Sequence, residues 1–126
     1  MPTSAQTQTA LASLRAALEA PRTDGPALGN WRWTVRRRLA EVRDVLALER
    51  ATTKDGWLAA RSGTVLRERN ALLTRVAAIA HDVLDNADVE DVRTEILRLL
   101  GDINHHLQRL TDLAYDDVEI ELGGSE

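Results

Sequence analysis

Cysteine is absent from this 126-residue chain. That excludes disulfides, thiolate zinc sites and cysteine nucleophiles together. Phenylalanine is absent too, and tyrosine occurs once. The core must therefore be built from Leu, Val, Ile and Ala, with three tryptophans as its large pieces. No apolar run approaches the roughly 20 residues of a membrane span. The opening MPTSAQTQTA has neither a basic stretch nor an apolar one, so no secretory leader is expected. These absences fit a cytoplasmic protein of one domain, residues 1–126, large enough to bury about two-thirds of its unfolded surface.

What is present is helical periodicity. Val92, Ile96, Leu99, Leu100, Ile103, Leu107, Leu110 and Ala114 recur at helical spacing, which predicts a long amphipathic helix from Asp88 to Ala114. Asp88 followed by Asp91 resembles a capping arrangement at its start. A first helix is expected over Ser4–Ala20, with Leu11, Leu14 and Leu18 on one side and Pro21 as its stop, and residues 1–4 frayed. The stretch PRTDGPALGN is turn-rich. A second helix starts near Leu28 or Trp31 and runs to about Arg50, with Trp31, Val35, Leu39, Val42 and Leu46 on its main stripe. Asp55 could cap a short turn carrying Trp57 and Leu58, which Gly63 would loosen or end. A third helix is expected over Thr64–Asp85, with Val65, Leu72, Val76, Ile79 and Val83 aligned.

Beyond Tyr115, Val118, Ile120 and Leu122 alternate with Glu119 and Glu121, an extended pattern. Residues 118–126 are expected to lie as an extended tail along the bundle, or to pair at an edge. The whole predicts an all-α, up-and-down four-helix bundle with an extended C-terminal tail.

Charge is uneven. Residues 1–63 hold ten Lys and Arg against six Asp and Glu, and residues 64–126 hold six against fourteen. Favourable pairing between a basic and an acidic helix explains this, as would two faces for two partners. The run GNWRWTVRRRLAEVR invites a nucleic-acid reading, since Arg binds phosphate and Trp stacks on bases. The net charge of −4 opposes that, and no groove-reading module is legible.

Four kinds of position stand out. Trp33 and Leu48 fall off the main stripe of the second helix, and with Arg37 they form a candidate interaction surface. The first helix is the expected cover for the Trp33 side, a second copy the other. His106 borders the apolar stripe of the last helix, so it is expected to be half-buried with a hydrogen-bond partner, or to line a ligand-sensing pocket. Arg69 falls almost in line with Val65, Leu72 and Val76; snorkelling to the edge or a local bend, a pair with a carboxylate such as Glu95 or Glu41, and lastly a specific anion site would each accommodate it. Asp102 and His105 form a D-x-x-H pair like half of a di-iron motif, but both project away from the stripe centred on Ile103, as His81 and Asp85 do from Val76. Leu39, Val76, Ile103 and Leu110 lie near stripe centres. No nucleophile elbow or Gly-rich phosphate loop is present.

The run HLQRLTDLAYDDVEIELGG, from His106 to Gly124, resembles the end of actinobacterial hemerythrin-like proteins, with Asp112-Leu113, Tyr115 and the acidic-aliphatic stretch to Gly124. That resemblance implies a helical bundle. Hemerythrin-like iron ligands stand at H-x-x-x-E, H-x-x-x-H and H-x-x-x-x-D spacings, whereas here Asp85 follows His81 by four and Thr111 follows His106 by five. The expectation is a metal-free bundle with no cofactor. Its role is then non-enzymatic, in protein–protein interaction or regulation, with a protein partner or a homo-oligomer. The alternatives are a small-ligand sensor with its pocket near His106, and an Arg/Trp-based nucleic-acid binder.

Overall fold

The computed structural model describes residues 4–22, 25–48 and 56–124, with side chains at 5–22, 25–48, 63–113 and Tyr115. Four helices follow in order: α1 (Ser4–Leu18), α2 (Gly25–Leu48), α3 (Gly56–Asp85) and α4 (Val89–Gly124). Successive helices pack against one another, and α1 returns against α4. This is the expected all-α, up-and-down four-helix bundle, and no strand occurs among the described residues.

The end of α1, the end of α3 and the start of α4 are each tied by an identifiable group. The last turn of α1 tightens, with Glu19 N donating to Ala16 O and Ala20 N to Ala17 O, both at 3.2 Å. The free Leu18 carbonyl accepts from Trp31 Nε1 at 3.2 Å and from Arg22 Nη1 at 3.3 Å. Gly25 takes φ +56°, a left-handed conformation that glycine adopts without strain, and the chain turns into α2 there. Arg32 of α2 donates to Val83 O in the last turn of α3 at 2.6 Å and to Asn86 O just past its end at 2.9 Å. Asp88 Oδ1 accepts from Asp91 N at 3.1 Å and so caps α4, as the sequence suggested. The reciprocal half is supplied by Asn86, whose Oδ1 accepts from Asp88 N at 2.8 Å.

The main core forms where apolar stripes of all four helices converge. Leu14 and Leu18 of α1, Trp31, Val35, Leu39 and Leu46 of α2, Val76 and Val83 of α3, and Ile96, Leu99, Leu100 and Ile103 of α4 are all but sealed from solvent. Arg22 to Glu90 at 2.9 Å and Arg93 to Glu19 at 2.5 Å join the end of α1 to the start of α4. Arg75 to Asp102 at 2.6 Å joins α3 to α4 further along. At about 1.5 Å per residue α1 is roughly 22 Å long and α4 roughly 54 Å. The long hairpin of α3 and α4 therefore outruns α1. Its own small cluster, Val65 and Leu113 with Leu110 against them, lies past the main core.

Several expectations are corrected. The stretch expected as an extended tail is helical, because α4 continues without a break to Gly124. Alternation of Val118, Ile120 and Leu122 was a weak signal there, set against an uninterrupted helix with no Pro in the preceding turns. Gly63 does not end a turn; α3 begins at Gly56 and passes through it, with room beside the glycine for the Arg67 side chain. Leu110 is half-buried, at the margin of the smaller cluster instead of a stripe centre. The suggested cap at Asp55, the end of the second helix at Arg50 and the fraying expected of residues 1–3 lie outside the described residues, while Ser4, expected to fray with them, already belongs to α1.

The first helix does not cover Trp33. Its apolar side, Ala10, Leu11, Leu14, Ala17 and Leu18, is spent on the core shared with Trp31. Trp33 stands 65% exposed and Leu48 57%. Two residues along a helix is about 200°, so burying Trp31 turns Trp33 outward.

Candidate functional site

Two places in this fold hold chemistry that the core does not require. The first is a polar layer between the two apolar clusters. His106, expected to be half-buried, is fully buried, and its Nδ1 lies 2.5 Å from Glu68 Oε1. Arg109 closes on the same carboxylate, Nε to Oε1 at 3.0 Å and Nη2 to Oε2 at 2.5 Å. One turn separates His106 from Arg109 on α4, so both reach a single residue of the antiparallel α3.

Burial by itself works against an ionised Glu68, but the hydrogen bonds and charges of Arg109 and His106 outweigh it and hold the carboxyl below its ordinary value. Glu68 in turn raises Arg109 through their hydrogen bond. A carboxylate only accepts, so the Nδ1 proton of His106 must be the donor. A recess of about 180 Å³ beside it is lined by Thr64, Val65, Arg109, Asp112 and Leu113. It falls below the usual 300–1,000 Å³ range of ligand pockets. His106 is not part of its wall.

Arg69 is partly buried beside this layer and its Nη2 donates to Asn70 Oδ1 at 3.3 Å. Glu41 and Glu95, its suggested partners, are engaged within their own helices, by Arg38 at 2.8 Å and Arg98 at 2.9 Å. Glu68 is the residue that the sequence reading missed. Its signal was present: it lies within about 40° of Leu72 around the helix, a carboxylate at the border of an apolar stripe.

The second place is the outer face of α2. Asn30, Trp33, Thr34, Arg36, Arg37 and Ala40 line an open recess of about 570 Å³. The Arg36 guanidinium lies over the Trp33 ring, 5.9 Å from its centroid, within cation–π range. Arg37 and Asp44 are exposed on the same side, and Arg43 reaches Asp44 at 3.6 Å. Trp33, Arg37 and Leu48, singled out in the sequence, thus share one solvent-facing surface. Asn30, Thr34 and Arg36 join it.

The remaining two histidines lie at the surface. His81 and His105 are exposed; His81 Nε2 sits 3.0 Å from Asp85 Oδ2 on its own helix. Among the described residues no group of three His, Asp or Glu side chains could hold a metal ion. No helix among the described residues is long and apolar enough to cross a membrane. No protein-family model, curated protein or solved structure matches this chain.

Proposed function

We propose that this chain is a small, non-enzymatic helical-bundle module that binds another protein through the outer face of α2. The observation that carries the reading is the pair of tryptophans on one helix. Trp31 is 1% exposed and serves the core, while Trp33 is 65% exposed with the Arg36 guanidinium over its ring. Trp and Arg are the residue types most enriched where binding energy concentrates. Beside Trp33 the guanidinium of Arg37 is exposed to solvent. The fitting occupant is a helical protein segment that offers an aliphatic side chain to Trp33 and a carboxylate to Arg37. From the hemerythrin-like resemblance only the bundle layout is carried over, without iron.

A photoreactive amino acid at Ala40, between Trp33 and Leu48, tests this in cells, with Ala78 on the exposed side of α3 as control. The expected result is an adduct at Ala40 that mass spectrometry maps to a helical segment with aliphatic and acidic residues, lost in Trp33→Asp. Equal labelling from Ala40 and Ala78 would sink the reading.

A further inference from the structure

We infer that the partner suited to this face is a second copy of the same chain, docked as an antiparallel α2–α2 pair about a two-fold axis near Ala40. The inference rests on the reading of α2 as a binding face and names its occupant. Trp33, Arg37, Ala40, Asp44 and Leu48 recur every three or four residues, so they form one seam along the outside of α2. All five are exposed.

The seam is complementary to itself when reversed. In an antiparallel pair centred between Ala40 and Glu41, Trp33 of one copy comes level with Leu48 of the other. Arg37 comes level with Asp44, and the reverse contacts repeat both pairs, as a two-fold interface requires. A parallel pair would instead set Arg37 against Arg37 and Asp44 against Asp44. At the centre stands Ala40, small enough for the helix axes to approach closely. Asp44 is 70% exposed and its Arg43 neighbour 59%, at 3.6 Å, so that local pair is open to exchange for Arg37 of the second copy.

The apolar ends of the seam lie about 22 Å apart at the helical rise. Roughly ten residues a side take part, about half of a standard interface. The expected dimer is therefore weak, with a dissociation constant on the order of 10–100 µM.

The experiment uses the full chain in sedimentation velocity from micromolar to millimolar concentration, with circular dichroism melts to show that each variant is folded. Arg37→Glu and Asp44→Arg each set like charges level twice per dimer, and each should weaken self-association at least tenfold. Mixed together, the two variants restore both Arg–carboxylate pairs and should form a one-to-one heterodimer at wild-type affinity. The double variant should self-associate again. A wild-type chain that stays monomeric to millimolar concentration overturns the inference while leaving a different protein as occupant of the face. A dimer indifferent to both reversals, or single variants that fail to recover on mixing, overturns the antiparallel arrangement. Loss of the Ala40-specific adduct in cells would strike the underlying reading instead.

Discussion

Replacing Glu68 by Ala should expose what the polar layer does for the fold. His106 is fully buried and its Nδ1–H points at Glu68 Oε1, 2.5 Å away. Without that acceptor the fully buried ring loses its carboxylate, at a cost of about 1–3 kcal/mol. Losing the half-exposed Arg109 bridge adds about 0–1 kcal/mol. A total of about 1–4 kcal/mol should lower the melting temperature of a domain this size by roughly 5–20 °C. His106→Leu removes the donor as well, and replacing both partners by apolar groups can be nearly neutral. Urea denaturation at pH 7 of the wild type, both single variants and the double variant closes the cycle. Glu68→Ala should cost at least about 1 kcal/mol less when His106 is already Leu. Additive costs would refute the coupling. The pH dependence carries a sign. Glu68 is held below its ordinary value of 4.5, so its contribution is fully present above that pH. It is lost as pH falls through the still lower folded value, and the gap between wild type and Glu68→Ala should narrow there.

Most of the fold was legible because it is written in periodicity. The Trp31-to-Leu46 stripe of α2 and the Val92-to-Ile103 stripe of α4 are buried as their spacing required. The start of α4 was legible too, since Asp88 does cap it. The ends were less readable. Val118, Ile120 and Leu122 alternate like a strand, yet a helix already running through Leu113 continues at small cost per residue once nucleated. Gly63 lowers helix propensity by only about 1 kcal/mol, too little to stop α3, which runs through it from Gly56 to Asp85.

The candidate site shows where a single helix wheel runs out. His106 could be placed on the border of its stripe, but its partner sits on another helix and depends on the register of α3 against α4. Arg69 drew attention because it lay in line with Val65 and Leu72, while Glu68, one residue away, is the side chain that reaches His106. On α2 the apolar strip at Trp33 was legible and its cover was not. Which neighbour covers a face is a property of packing, and α1 had already committed Leu11, Leu14 and Leu18 elsewhere.

Three further outcomes are expected. Ile103→Ala, at a sealed position, should destabilise the fold by about 2–5 kcal/mol in urea denaturation, whereas Leu48→Ala should stay within about 0.5 kcal/mol; equal losses would show the facing of α2 to be wrong. Asp88→Ala removes the cap of α4 and should cost about 0.5–2 kcal/mol by the same measurement, with Asp88→Ser retaining most of it. The last concerns quenching of tryptophan fluorescence in dilute, monomeric protein. Trp33 is 65% exposed and Trp31 1%, so a soluble quencher should reach the first and not the second. Arg36 lies over the Trp33 ring and Arg37 stands beside it, so the local field favours an anion. Iodide should therefore quench more strongly than caesium at low ionic strength, and added chloride should narrow the difference as screening shortens the reach of both guanidinium charges. With Trp57 replaced by Phe throughout, Trp33→Phe should remove the iodide preference while Trp31→Phe leaves it intact. An iodide preference that survives Trp33→Phe would mean that the accessible tryptophan beside the cations is not on the outer face of α2.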